Sequence, residues 1–151
     1  MEVNGWEIEP GANLTGADLI RANLRYLRMD GANLNQADLT RAVLCGTKLR
    51  NTNLNETNFT DANLSGVDLT YAYGTDTNLT DANLSHACMK EVKLVGANLT
   101  HADLTWADLT GADLRNANLS NAYLRNSKLA DANLAGANLT GATMPDGTVH
   151  D

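Results

Sequence analysis

Few residues of this 151-residue chain could do chemistry: Cys45 and Cys88, His86, His101 and His150, and 18 Asp and Glu. Two cysteines could close a disulfide, and cysteine with histidine could hold zinc. Neither Cys lies in a C-x-x-C spacing, however, and the histidines are too scattered for a zinc set. Paired carboxylates act as acid and base only in a cleft that separates their pKa values. There is no G-x-G-x-x-G, phosphate loop or G-x-S-x-G elbow. The expectation is a protein with no catalytic residue, no metal and no cofactor.

The net charge of −7 argues against direct nucleic-acid binding, which uses a basic stripe to neutralise phosphates. Residues 1–11 carry Glu2, Glu7 and Glu9 and no basic region followed by an apolar stretch. No apolar run approaches the roughly 20 residues that span a bilayer. The chain therefore reads as cytoplasmic, without membrane contact.

The elements that position these side chains follow from a repeat of five residues. From Leu14 to Met144, steps of five give 27 positions without insertion, of which Leu fills 22; Met29, Phe59, Gly74, Met89 and Met144 fill the rest. Two residues earlier stands Ala in 19 of the 27 units, otherwise mostly a small or β-branched residue such as Thr47, Thr57 or Val67. One residue earlier stands Asn or Asp in 18 of them. A helix of period 3.6 would carry such leucines round its axis, and a plain strand of period two fails as well. A chain that turns a corner every five residues puts both the small residue and the Leu inside each time. Four sides then close a twenty-residue coil, and coils stacked at the strand spacing of about 4.8 Å make a rod of about 32 Å.

The A-(N/D)-L-x-x repetition, as in Ala12 to Gly16 and Ala17 to Arg21, resembles the pentapeptide-repeat family, including its small cyanobacterial members. The resemblance implies an all-β fold: a right-handed quadrilateral parallel β-helix, four pentapeptides per coil, about seven coils. Residues 12–146 would form the helix, residues 1–11 an N-terminal cap and residues 147–151 a tail. Many members have no established activity, and others resemble DNA in outline and bind DNA gyrase.

With a twenty-residue coil, residues twenty apart form columns. Asn58, Asn78, Asn98, Asn118 and Asn138 make one, beside Thr40, Thr60, Thr80, Thr100, Ser120 and Thr140. An Asn stack is a structural ladder first, and as a remote alternative a lattice for ice. Residues 51–110 hold eight acidic side chains against Lys90 and Lys93, an acidic girdle spread over several faces. His86 should lie beneath Trp106. The candidate partner contacts are thus Trp106, His86, Glu56, Asp61, Asp76 and Asp81, for a protein partner the sequence does not name.

Three further expectations concern packing. Cys45 and Cys88, about 9.6 Å apart along the axis at strand spacing, should stay free thiols. Gly74, stacked between Leu54 and Leu94, should leave a void or draw in Tyr71 or Tyr73. Val3, Trp6 and Ile8 could cover the first coil, whereas Leu129, Leu134, Leu139 and Met144 should be left at the C-terminal end as a weak homodimer contact. The function these features favour is a non-enzymatic interaction or scaffold module, with a DNA-mimicking topoisomerase binder as the alternative.

Overall fold

In a computed structural model covering residues 1–151, parallel bridges join residues twenty apart along the whole repeat, from Asn13↔Asn33 to Tyr123↔Thr143. They fall in four columns that start at Asn13, Asp18, Asn23 and Arg28, and these define four sides, named here by those residues. Each side contributes one bridging residue per level. The only regular strands are therefore β1 (Glu2–Val3) and β2 (Trp6–Glu7), an antiparallel hairpin ahead of the first coil. Its neighbour Ile8 is buried, and Val3 and Trp6 pack on the core. No helix is long and apolar enough to cross a membrane.

Why the repeat has five residues is answered by following its amide groups, each of which needs an acceptor. In Ala62–Gly66, Ala62 N–H closes a turn on Phe59 C=O (3.0 Å) and Asn63 N–H reaches Ala42 C=O one coil back (2.9 Å). Leu64 and Gly66 donate forward to Asn83 and Ser85 (2.7 and 2.9 Å). The fifth amide, Ser65 N–H, has no main-chain acceptor and donates to Oδ1 of Asn63 at 3.1 Å. This side-chain turn is the habit that makes Asn and Asp turn residues. All 18 Asn and Asp residues at this place in the repeat accept the same bond from the amide two residues on. The Asn/Asp preference is thus a backbone requirement.

The corner takes its shape from the same accounting. The turn bond and a positive φ two residues after the Leu give a type II geometry, which favours Gly at that place. Gly66 supplies it at φ 63°, but Tyr26, His86 and Trp106 also adopt left-handed values of 58°, 59° and 60°. A non-glycine residue there costs on the order of 1 kcal/mol, offset by the stacking of coils. Corner side chains consequently point into solvent.

Inside, the Leu column and the Ala column are almost completely buried, one core running the length of the rod. Threonine replaces Ala for a reason: Thr47, Thr57 and Thr77 are buried and donate Oγ1 to the C=O of Leu24, Leu34 and Leu54 at 2.6–2.8 Å. The void expected at Gly74 is absent. A Cβ there would meet Thr77 Oγ1 at 2.6 Å and the carbonyl carbon of Leu54 at 2.7 Å. The main chain has closed onto the site, and Tyr71 and Tyr73 remain exposed.

At the other end the tail turns back: Thr143 pairs antiparallel with Val149, and His150 N–H donates to Ala142 C=O at 2.8 Å. His150 stands in for the missing next coil on the Asn23 side. The amides of Leu129, Leu134 and Leu139 find no main-chain acceptor, and these residues and Met144 are half-buried.

Candidate interaction surface

The six candidate partner contacts occupy three corners. Glu56 and Asp76 stack on the corner between the Asn13 and Asp18 sides, and Asp61 and Asp81 on the corner between the Asp18 and Asn23 sides. His86 and Trp106 take the corner between the Asn23 and Arg28 sides, their rings parallel within 2° and 6.3 Å apart. These four acidic residues gather on two corners, while Asp68, Asp108, Asp103 and Glu91 lie on other sides and corners, so the eight together keep the spread of the expected girdle. Two rows of two carboxylates border the Asp18 side, while Asp61, Asp81, His86 and Trp106 border the Asn23 side.

Several of these groups already have partners. Gln36 donates to Glu56 at 3.0 Å, Arg41 Nε lies 3.3 Å from Asp61, and His101 Nδ1 lies 3.4 Å from Asp81. Trp106 is 59% exposed, an unusual position for a ring of its size. Stacking on His86 and the fixed corner backbone hold it in place, so its contact area is available without a large ordering cost.

The Asn column of the Asp18 side is a ladder of a different kind from the one expected. Direct Asn-to-Asn bonding occurs once, from Asn138 Nδ2 to Asn118 Oδ1 at 3.3 Å. On two rungs the bonding alternates: Thr60 Oγ1 donates to Asn58 Oδ1 at 2.7 Å and accepts Asn78 Nδ2 at 3.1 Å. Thr40 is engaged in the same way by Asp38 and Asn58. The hydroxyls of Thr40, Thr60, Thr80 and Thr100 donate within the protein, which weighs against a surface that orders ice.

The Arg28 side differs from the others. Four of its six bridging residues, Arg28, Lys48, Cys88 and Lys128, break the Asn/Asp rule. Cys88 Sγ lies 3.3 Å from Thr70 Oγ1, and Cys45 stands on another column, also as a free thiol. Asp68 is 5% exposed and accepts Arg50 Nε at 2.5 Å. Burial pushes its carboxyl up, but hydrogen bonds from Thr70 and Arg50 together outweigh burial and hold it below the usual range. Asp108, beside Lys90 and Lys128, behaves alike: burial raises it, and the Thr110 bonds and the two lysines bring it down. This side carries a recess of about 360 Å³ near its N-terminal end.

A solenoid of five-residue turns with Asn/Asp caps defines a class of repeat protein, and the comparisons place the chain within it. The family described as Pentapeptide repeats matches residues 10–36, 37–73, 77–116 and 117–146 in eight copies. The chain belongs to the pentapeptide repeat family.

Among solved structures it is similar to HetL, a pentapeptide repeat protein involved in heterocyst differentiation regulation from the cyanobacterium Nostoc sp. strain PCC 7120. The identity is 30%, over 91% of this chain and 87% of HetL, with a TM-score of 0.32. It is also similar to Rfr23 of the cyanobacterium Cyanothece 51142, at 24% identity, 92% and 91% coverage and a TM-score of 0.41. A trypsin-treated form of QnrB1, a plasmid-mediated fluoroquinolone resistance protein, matches at 18% identity, 85% and 83% coverage and a TM-score of 0.48. No sequence match is found among curated proteins.

Proposed function

We propose that the chain is a non-enzymatic interaction module that presents the Asn23 side of its rod to a protein partner. The observation that carries this reading is Trp106, exposed yet held flat on His86 at the edge of that side. A rigid aromatic anchor beside a polar surface is the composition of an interface hot spot. Asp61 and Asp81 along the opposite edge favour a partner with basic groups. The carboxylates of Asp103 and Asp108 each accept both the amide and the hydroxyl of a Thr two residues on, which gives them a structural duty in place of a catalytic one.

The test is affinity capture from the source cell with wild-type protein and with Trp106→Asn, since Asn tolerates the left-handed corner. The same partner should be retained at least roughly 30-fold less tightly by the variant, the effect of losing about 2 kcal/mol at a hot spot. Equal affinity for both proteins would remove Trp106 from the interface.

A DNA-mimicking topoisomerase binder is the second reading. The two carboxylate rows, Glu56 with Asp76 and Asp61 with Asp81, favour it because they run along both edges of one side. A gyrase supercoiling assay decides: no effect at micromolar protein eliminates this reading and leaves the first intact.

A further inference from the structure

The capping rule fails twice in succession on the Arg28 side, where Arg28 and Lys48 stand in place of Asn or Asp. Breaks in an otherwise consistent local rule are where function is expected to overrule structure. Here the lost cap has a substitute. Asp30 Oδ1 accepts Arg50 N–H at 3.2 Å from one coil below, and its Oδ2 lies 3.6 Å from Arg28 Nη2. Asp68, nearly buried one coil further on, holds Arg50 Nε at 2.5 Å and lies 3.8 Å from Lys48 Nζ. Two carboxylates thus place three cations around one point.

That point is the recess, lined by Tyr26, Arg28, Asp30, Gly46, Lys48 and Arg50. Three cations against Asp30 give its wall a formal charge of +2, which Asp68, outside the lining but paired with Arg50 and Lys48, lowers to +1 for the cluster, in a chain of net −7. Lys48 Nζ and the terminal nitrogens of Arg50 make no hydrogen bond to the protein, so their donors are free to meet an anion. Tyr26, 75% exposed, forms the remaining wall by lying against Gly46, where a Cβ would come within 2.5 Å of Tyr26 Cδ1. Glycine at 46 therefore admits the ring, and the outer face of the ring is open to stacking.

We propose that this recess binds a phosphate monoester carried on a planar ring, a ligand of mononucleotide size. Guanidinium and ammonium groups suit phosphate oxygens, by fork geometry and by point charge respectively. A phosphate monoester carries close to −2 at neutral pH, and the positive wall attracts it. The volume falls at the small end of ligand sites. The ring completes the fit against Tyr26. This inference is independent of the Trp106 surface, which lies further along the rod.

The experiment is titration of the isotope-labelled protein with AMP, inorganic phosphate and adenosine, read by amide NMR. AMP should shift Gly46, Lys48 and Arg50 saturably, and adenosine should do so only weakly. Arg28→Gln and Lys48→Gln should each weaken AMP about tenfold or more, the scale of a charge-assisted hydrogen bond. Tyr26→Asn should weaken AMP and leave inorganic phosphate unchanged. Arg115→Gln, on the Asn13 side, should change neither, and unchanged melting temperatures would show that the variants remain folded. The proposal is overturned by the absence of saturable shifts at about 10 mM AMP, a concentration well above a millimolar dissociation constant. It is equally overturned by AMP binding that both charge variants leave intact, or by inorganic phosphate binding as tightly as AMP.

Discussion

The carbonyl carbon of Leu54 lies 2.7 Å from the point where a side chain at Gly74 would begin. Glycine is therefore required there by the approach of the neighbouring coil. Gly74→Leu should lower stability by about 1–3 kcal/mol, the cost of overpacking, and reduce the melting temperature by several degrees. Differential scanning calorimetry checks the sign, and a rise would mean that the coil can open to accept the side chain.

Removing a cap should cost far less than disturbing the core. Asn63→Ala leaves the Ser65 amide without its acceptor at 3.1 Å. The expected loss is about 1 kcal/mol, with Asn63→Asp close to neutral. Hydrogen exchange should accelerate at Ser65 in the alanine variant while the Leu64 amide, bonded to Asn83, keeps its protection.

Acid should weaken the rod through its capping carboxylates. Asp68 and Asp108 are held below their ordinary value in the folded state despite burial, and Asp113 is lowered chiefly by Arg115. For a lowered folded pKa, the stabilisation is present above the unfolded value of about 3.9 and disappears as pH falls through the folded one. Urea midpoints should thus be level near neutrality and fall below about pH 4. Asp68→Asn, which keeps an acceptor for Thr70, should be less stable at pH 7 and show a shallower acid decline.

The C-terminal end carries a prediction about assembly. Leu129, Leu134, Leu139 and Met144 are half-buried and the amides of the three leucines have no main-chain acceptor, and we expect two chains to associate weakly there by a symmetric contact. Leu134→Lys with Leu139→Lys should abolish the dimer in sedimentation equilibrium without loss of exchange protection in the first coils. A wild-type protein that remains monomeric at high concentration would show that the tail, through His150, closes the end by itself.

The column geometry was legible because a five-residue period admits few ways to keep Leu inside, and the stacking of His86 on Trp106 followed from a separation of twenty. What escaped the sequence was the directed chemistry within each column. Asn58 looked like one member of an amide stack, whereas its oxygen serves the Thr60 amide and hydroxyl. Gly74 looked like a missing side chain, since a pattern counts residues and cannot register that Thr77 pulls its hydroxyl onto Leu54. The recess was hidden for a related reason. Arg28 and Lys48 read as ordinary surface charge until Asp30 and Asp68 are seen to gather them with Arg50.

Because the Asn/Asp caps point outward, much of the visible surface of this rod is still in the service of its backbone. An outward position that must hold an amide is not free to recognise anything else without loosening a turn. Partner recognition is left three kinds of address: the corner residues, the residue after each inward Leu or Met, where Asp30 and Arg50 stand, and the nine places where the cap has been given up. The Asp18 side has none of those nine and the Arg28 side has four, so neighbouring sides of one molecule differ in their freedom to diverge.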